Sequence, residues 1–271
     1  MIDKWLKEEK RIRTTYSKFA VIDLTENDDL CEEELKELKT FLANQILIHL
    51  ENPVRLKTIF EKAPLDKLKK YVSDNILPDK NDPFHPRQSF WGEIVTAEIL
   101  EKIRKAILPI YKLRYKELKN KAMRGKADVI ACKILANKPV IIFAEVKSKI
   151  TYAKKIAKEA YNGLVQNNVE VPEIIDYISK RLEDRDEYDL VSLFDKAIKD
   201  PSSYSKDFHI FLVFEKDKWN EKILEFLNFT EIKLPNLTLN VVLINSLQDL
   251  INETYELIPE VAEEVVYNGQ E

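Results

Sequence analysis

Two short apolar runs, Val129-Ile130-Ala131-Cys132 and Val140-Ile141-Ile142-Phe143-Ala144, flank the turn-forming Ala136-Asn137-Lys138-Pro139. Runs this short and rich in β-branched residues form strands, and a tight turn between them makes a hairpin. The spacing predicts strands over Asp128–Leu135 and Val140–Lys147. The second run is apolar on both faces, which places it centrally in a sheet covered on both sides. It ends in Glu145-Val146-Lys147. Side chains two apart share a strand face, so Glu145 and Lys147 point the same way. With Ala136-Asn137 as the loop, Asp128 lies opposite Glu145. With Asn137-Lys138 it lies opposite Lys147, and a three-residue loop needs a bulge to restore the register.

Charges at the rim of a core are costly. Two carboxylates there repel each other and resist desolvation. A divalent cation removes the repulsion, and magnesium (or manganese) suits a few carboxylate oxygens completed by water and phosphate oxygens. Asp128 and Glu145, with the Val146 carbonyl, are the candidate metal ligands. Lys147 is placed to orient or help deprotonate an attacking water, or to stabilise charge in a transition state. Gly125, in Arg124-Gly125-Lys126-Ala127-Asp128, permits close approach where the first strand begins. A helix expected over about Arg87–Leu108 adds Glu93 on an apolar stripe beside Gly92, with Glu98 and Glu101 as rivals on the same helix.

The surrounding charge favours a polyanion. Ten basic residues lie between Lys102 and Lys126 against only Glu117, and five lysines lie from Lys147 to Lys158 with no acid among them. Local potential outweighs the net charge of −4 in deciding where phosphate lands. Arg124, Lys126, Lys149, Lys154 and Lys155 are the candidate substrate contacts, with Lys158 beside them. Tyr161 and Gln166 lie on the helix expected over Tyr152–Val165, and His49, His85 and His209 are weaker candidates.

The order of elements is that of an α/β protein with a central mixed sheet flanked by helices. A helix and a strand about Ile110–Leu118 precede the hairpin. After it come a helix, a helical pair near Glu173–Arg185 and Leu190–Lys199, and strands at Phe208–Phe214 and Leu239–Ile244 with helices between and after. Residues 1–80 read as a mostly helical N-terminal region with one strand, Phe19–Leu24, and a helix from Glu32 to Leu50 capped by Asp28 or Asp29. The turn-forming stretch Pro78–Pro83 separates it from a second unit, 84–271. Only four glycines are present, so neither a P-loop nor GxGxxG exists and the chain binds no ATP by those motifs. Two cysteines build no disulfide framework, and Cys132 reads as a small buried hydrophobe. The chain reads as cytoplasmic, with no membrane span and no signal-peptide core at its N-terminus.

Glu93, Asp128 and Glu145-Val146-Lys147 together resemble the PD-(D/E)XK nuclease superfamily, with Ala127 where its name implies proline. More narrowly, Arg87-Gln88-Ser89-Phe90-Trp91-Gly92-Glu93, Arg124-Gly125-Lys126-Ala127-Asp128 and Phe143-Ala144-Glu145-Val146-Lys147 resemble the nuclease subunit of Hachiman-type anti-phage systems, over about Phe84–Val165. The resemblance implies a restriction-endonuclease-like core, magnesium-dependent hydrolysis of DNA and a separate superfamily 2 helicase as partner. The alternative is a catalytically silent nuclease-like domain that binds nucleic acid or a partner protein.

Overall fold

A computed structural model describes residues 1–11, 19–83, 85–115, 127–136, 138–167, 171–228 and 231–268. In chain order the helices and strands are α1 (Ile2–Trp5), β1 (Leu6–Arg11), β2 (Ala20–Glu26), α2 (Glu32–Leu50), α3 (Pro53–Phe60), α4 (Leu65–Tyr71) and α5 (Pro86–Glu98). The hairpin β3 (Val129–Leu135) and β4 (Lys138–Lys149) follows, then α6 (Ile156–Asn167), α7 (Val171–Glu183) and α8 (Tyr188–Lys199). The last elements are β5 (Ser205–Glu215), α9 (Lys222–Asn228), β6 (Leu237–Ile244) and α10 (Leu247–Glu263).

The six strands form one mixed sheet in the order β1-β2-β6-β5-β4-β3. The four inner strands run parallel, and β1 and β3 close the two edges antiparallel. Both sheet faces are buried, which is why β4, β5 and β6 read as near-continuous apolar runs. On one face Ala144, Val146, Phe211 and Val242 pack under α2, α5 and α10. On the other Ile141, Phe143, Ile210 and Leu212 pack under α6 to α9.

The hairpin register settles the loop length. Leu135 pairs with Lys138 and Val129 with Ala144, so the loop is Ala136-Asn137, with Asn137 itself outside the described residues. Ala136 adopts a positive φ of 49°, the backbone that two-residue hairpin turns demand. One step further along this register, Asp128 faces Glu145.

Three expectations are corrected. Residues 1–80 contribute two strands to the sheet rather than one, and their helices share a single buried cluster with α5 and α10. In place of a strand at Ile110–Leu118, the described part holds a tight 3-10 turn at Lys112–Tyr115, while Ile107 bridges Cys132 at the β3 edge. There the Lys112 and Arg114 side chains donate to backbone carbonyls of Ala127 and Ile48, tying the segment across elements. Asp28 and Asp29 do not cap α2. Its first residues are closed by the Cys31 N–H donating to Glu34, while Asp28 and Asp29 accept from Lys216 and Lys7. The helix expected after the last strand is present. It is α10, whose Leu247, Ile251, Tyr255 and Ile258 are buried and whose acids meet Lys39, Lys69 and Lys80. No described helix is long and apolar enough to cross a membrane.

Candidate active site

β4 carries Glu145 and Lys147 toward the α6 face, and Lys147 Nζ donates to Glu145 Oε1 at 2.8 Å. Gly163 of α6 lies directly against that carboxylate. A Cβ built there would stand 2.8 Å from Glu145 Oε1, closer than real Cβ atoms come, so any larger residue would displace the carboxylate from this position. On the opposite face Gly92 plays the same part for α5. A Cβ there would meet Ser148 Cβ at 2.9 Å and Val146 Cγ1 at 3.4 Å, and the close approach it permits brings Glu93 down to the sheet.

Asp128 joins the two sides. It precedes β3, and its Oδ2 accepts the Val146 N–H at 2.8 Å. In a strand the N–H and C=O of one residue point the same way. The Val146 carbonyl therefore also faces the Asp128 side, just past the point where β3 pairing begins.

These groups act on one another. Glu93 and Glu145 are only 8% and 7% exposed. Burial first, then the charge of Asp128, raises the Glu93 carboxyl well above the carboxylate range, with Lys112 opposing and Glu145 adding. Burial and Asp128 likewise raise Glu145, against Lys147 and Lys112. Burial disfavours the Lys147 ammonium, but Glu145, Asp128 and Glu93 together override it and the group titrates higher than an ordinary lysine. Glu93 Oε2 is buried with no hydrogen-bond partner among the described residues. Of its rivals, Glu98 faces His49 Nε2 at 3.4 Å and likewise keeps a buried Oε2 without a hydrogen-bond partner among the described residues, while Glu101 pairs with Lys102 at 2.7 Å.

Among the described residues no three histidine, cysteine or carboxylate groups are already drawn into a metal cage. Asp128 is turned to Val146 and Glu145 to Lys147. The donor set nonetheless suits a hard cation: three carboxylates, one with an unsatisfied oxygen, beside a backbone carbonyl.

Of the basic candidates, Lys149 is half-buried at the end of β4, whereas Lys154 and Lys155, in the turn before α6, and Lys158, in its first turn, are exposed. Arg124 and Lys126, with Gly125, lie outside the described residues. Tyr161 is turned away, its hydroxyl donating to Glu231 O and accepting from Lys233 N, while Gln166 is exposed. His209 sits within β5 beside Asn240. Burial, then Arg104 and Lys133, push its pKa down to about 4, so it stays neutral and apart. His85 precedes α5 with a positive φ of 51° and is exposed. Cys132 is buried as expected, its thiol pushed up to about 12 by burial. The sequence reading missed Lys112 and Gly163. Lys112 stands in the apolar stretch Pro109-Ile110-Tyr111-Lys112-Leu113, and Gly163 is one of four glycines, set inside an amphipathic helix. Both are signals of burial or close approach.

Fold and cluster together define an α/β protein with a carboxylate–lysine constellation at one end of its outer hairpin. The HamA family model matches residues 1–258. The chain belongs to the HamA family and is a component of the Hachiman anti-phage defence system. No curated protein matches it.

Proposed function

We propose that this chain is a metal-dependent nuclease of the PD-(D/E)XK type that hydrolyses DNA phosphodiester bonds in the cytoplasm, working beside a separate helicase subunit. The observation that carries this reading is the place of Asp128 at the end of β3 and β4, where it accepts the Val146 N–H beside the Glu145–Lys147 pair and lines one cavity with Glu93. A buried, mutually repelling carboxylate set is expensive, and proteins keep such sets where chemistry needs them.

Asp128, Glu145 and the Val146 carbonyl are the residues to hold magnesium, or manganese in its place, with Glu93 completing the acidic wall. When bound, the cation supplies a Lewis acid and a water of lowered pKa. The chain's own residues do the rest. Gly163 and Lys147 fix the Glu145 carboxylate, and the Val146 N–H fixes Asp128. With no cation bound, the carboxylates hold the Lys147 ammonium above an ordinary lysine, and its part is to orient or help deprotonate the attacking water or to face the scissile phosphate as a cation. Lys149, Lys154 and Lys155, with Arg124 and Lys126, lie along the chain on either side of the cluster and suit backbone phosphate contacts.

The test uses purified chain, alone and mixed with its helicase partner, on plasmid DNA with magnesium or with EDTA. Nicking or cleavage that needs magnesium and disappears in E145A and K147A is the expected result. Intact DNA in every mixture, with DNA affinity retained, overturns the nuclease reading in favour of a silent binding domain. Cleavage that persists in both variants overturns the assignment of these residues.

A further inference from the structure

Lysine is rarely buried, and Lys112 is only 7% exposed. It opens the 3-10 turn Lys112–Tyr115, and Arg114 anchors that turn by donating from Nε to Ile48 O at 2.7 Å while its guanidinium lies 4.4 Å over the Tyr111 ring. From there Lys112 Nζ donates to the carbonyl of Ala127 at 2.8 Å. Ala127 is fully buried, and the next residue is Asp128. An ammonium is costly to bury, and carboxylates close by offset that cost. Lys112 lines a small cavity of about 20 Å³ with His49, Glu93 and Asp128, so its cationic side chain shares that cavity with two carboxylates.

We propose that Lys112 is a positioning residue of this site, fixing the peptide that leads into Asp128 and serving as a built-in counter-cation for Glu93. The carboxylates are thereby set before any cation or nucleic acid arrives. Lysine does this where a shorter or neutral side chain cannot, because one group reaches the Ala127 carbonyl and carries charge into the cavity. Its consequence for cation binding rests on the nuclease reading above, but its effect on the Ala127–Asp128 peptide does not.

The experiment compares full-length wild type, K112M and K112R, each verified as folded by circular dichroism. Hydrogen–deuterium exchange in EDTA reads the segment Ala127–Val129, and manganese titration calorimetry reads cation affinity. K112M is expected to exchange about tenfold faster at Ala127–Val129 than wild type and to bind manganese about tenfold more weakly. K112R, which keeps charge and donor, is expected near wild type on both. If K112M fails to fold, K112Q is read in its place on the same terms. Unchanged exchange at Ala127–Val129 in a folded neutral variant overturns the proposal. A wild type that binds no manganese while the exchange difference persists sinks the nuclease reading and leaves the positioning role standing.

Discussion

The acids of α10 and the acids around β3 and β4 live under opposite conditions. On α10, Glu253, Glu256 and Glu263 sit at the surface, each across from a lysine of another segment at 2.7, 3.5 and 3.2 Å. Around the hairpin, Glu93 and Glu145 are buried, share two lysines with Asp128, and leave Glu93 Oε2 with no hydrogen-bond partner among the described residues. Exposed pairs contribute little and cost little. Buried acids without full compensation cost much. The α10 face is thus built for folding and held mainly by its apolar stripe. The hairpin end carries a penalty that the fold has no structural reason to keep, which is the ground for proposing function there.

The largest effect that tests this contrast is on catalysis. E145A or K147A is expected to lower magnesium-dependent DNA cleavage about a thousandfold, roughly 4 kcal/mol of barrier, in a single-turnover assay with the partner present. A fall of less than tenfold would place the chemistry elsewhere.

Next is Glu93 and stability. Its carboxyl titrates higher in the folded chain than its ordinary value of about 4.3. The native state therefore holds the proton where the unfolded chain has released it, and stability falls as pH rises from that ordinary value through the raised native one. E93Q removes this loss. In EDTA it should unfold with wild type near pH 4 and become more stable above it, by about 1–3 kcal/mol at pH 8, while losing cleavage. Equal stability of the two proteins at pH 8 would mean that Glu93 carries no unrelieved charge.

A smaller effect is expected at Gly163. G163A places a methyl against Glu145 Oε1 and should weaken manganese binding about tenfold by calorimetry. Alanine also favours the helix by up to about 1 kcal/mol, so the melting temperature should hold and separate a displaced carboxylate from a damaged fold. The smallest effect lies on the other side of the comparison. E253Q breaks the Lys39 pair and should change unfolding free energy by no more than about 0.5 kcal/mol in denaturant titration. A loss of 2 kcal/mol there would erase the distinction between the two regions.

The hairpin was legible in the sequence because period and turn chemistry agree: β-branched runs, a short turn, and charges that emerge only where the strand leaves the core. The parallel inner strands were legible for the same reason, being apolar on both faces. β1 was not, since Leu6-Lys7-Glu8-Glu9-Lys10-Arg11 has no apolar alternation and is a strand only because β2 offers it an edge. A charged edge strand of this kind also resists pairing with other chains. Glu93 could be ranked above Glu98 and Glu101 only by its neighbour Gly92; in the structure Glu98 faces His49 and Glu101 pairs with Lys102. Lys112 was hidden because a lysine in a basic run reads as a solvated side chain until its segment is seen turning inward to reach Ala127.

The place of β2 in the sheet has a consequence for how the chain comes to be assembled. β2 pairs with β6, Ala20 beside Thr238 and Thr25 beside Leu243, and β6 pairs with β5, which in turn holds β4. Contacts between residues so distant in sequence form slowly, because long loops must close before they yield any stability. During synthesis α5 and the β3–β4 hairpin emerge long before β6 can join the first strands to them. The acidic cluster is therefore made early and set late, its final geometry waiting on nearly the whole chain leaving the ribosome.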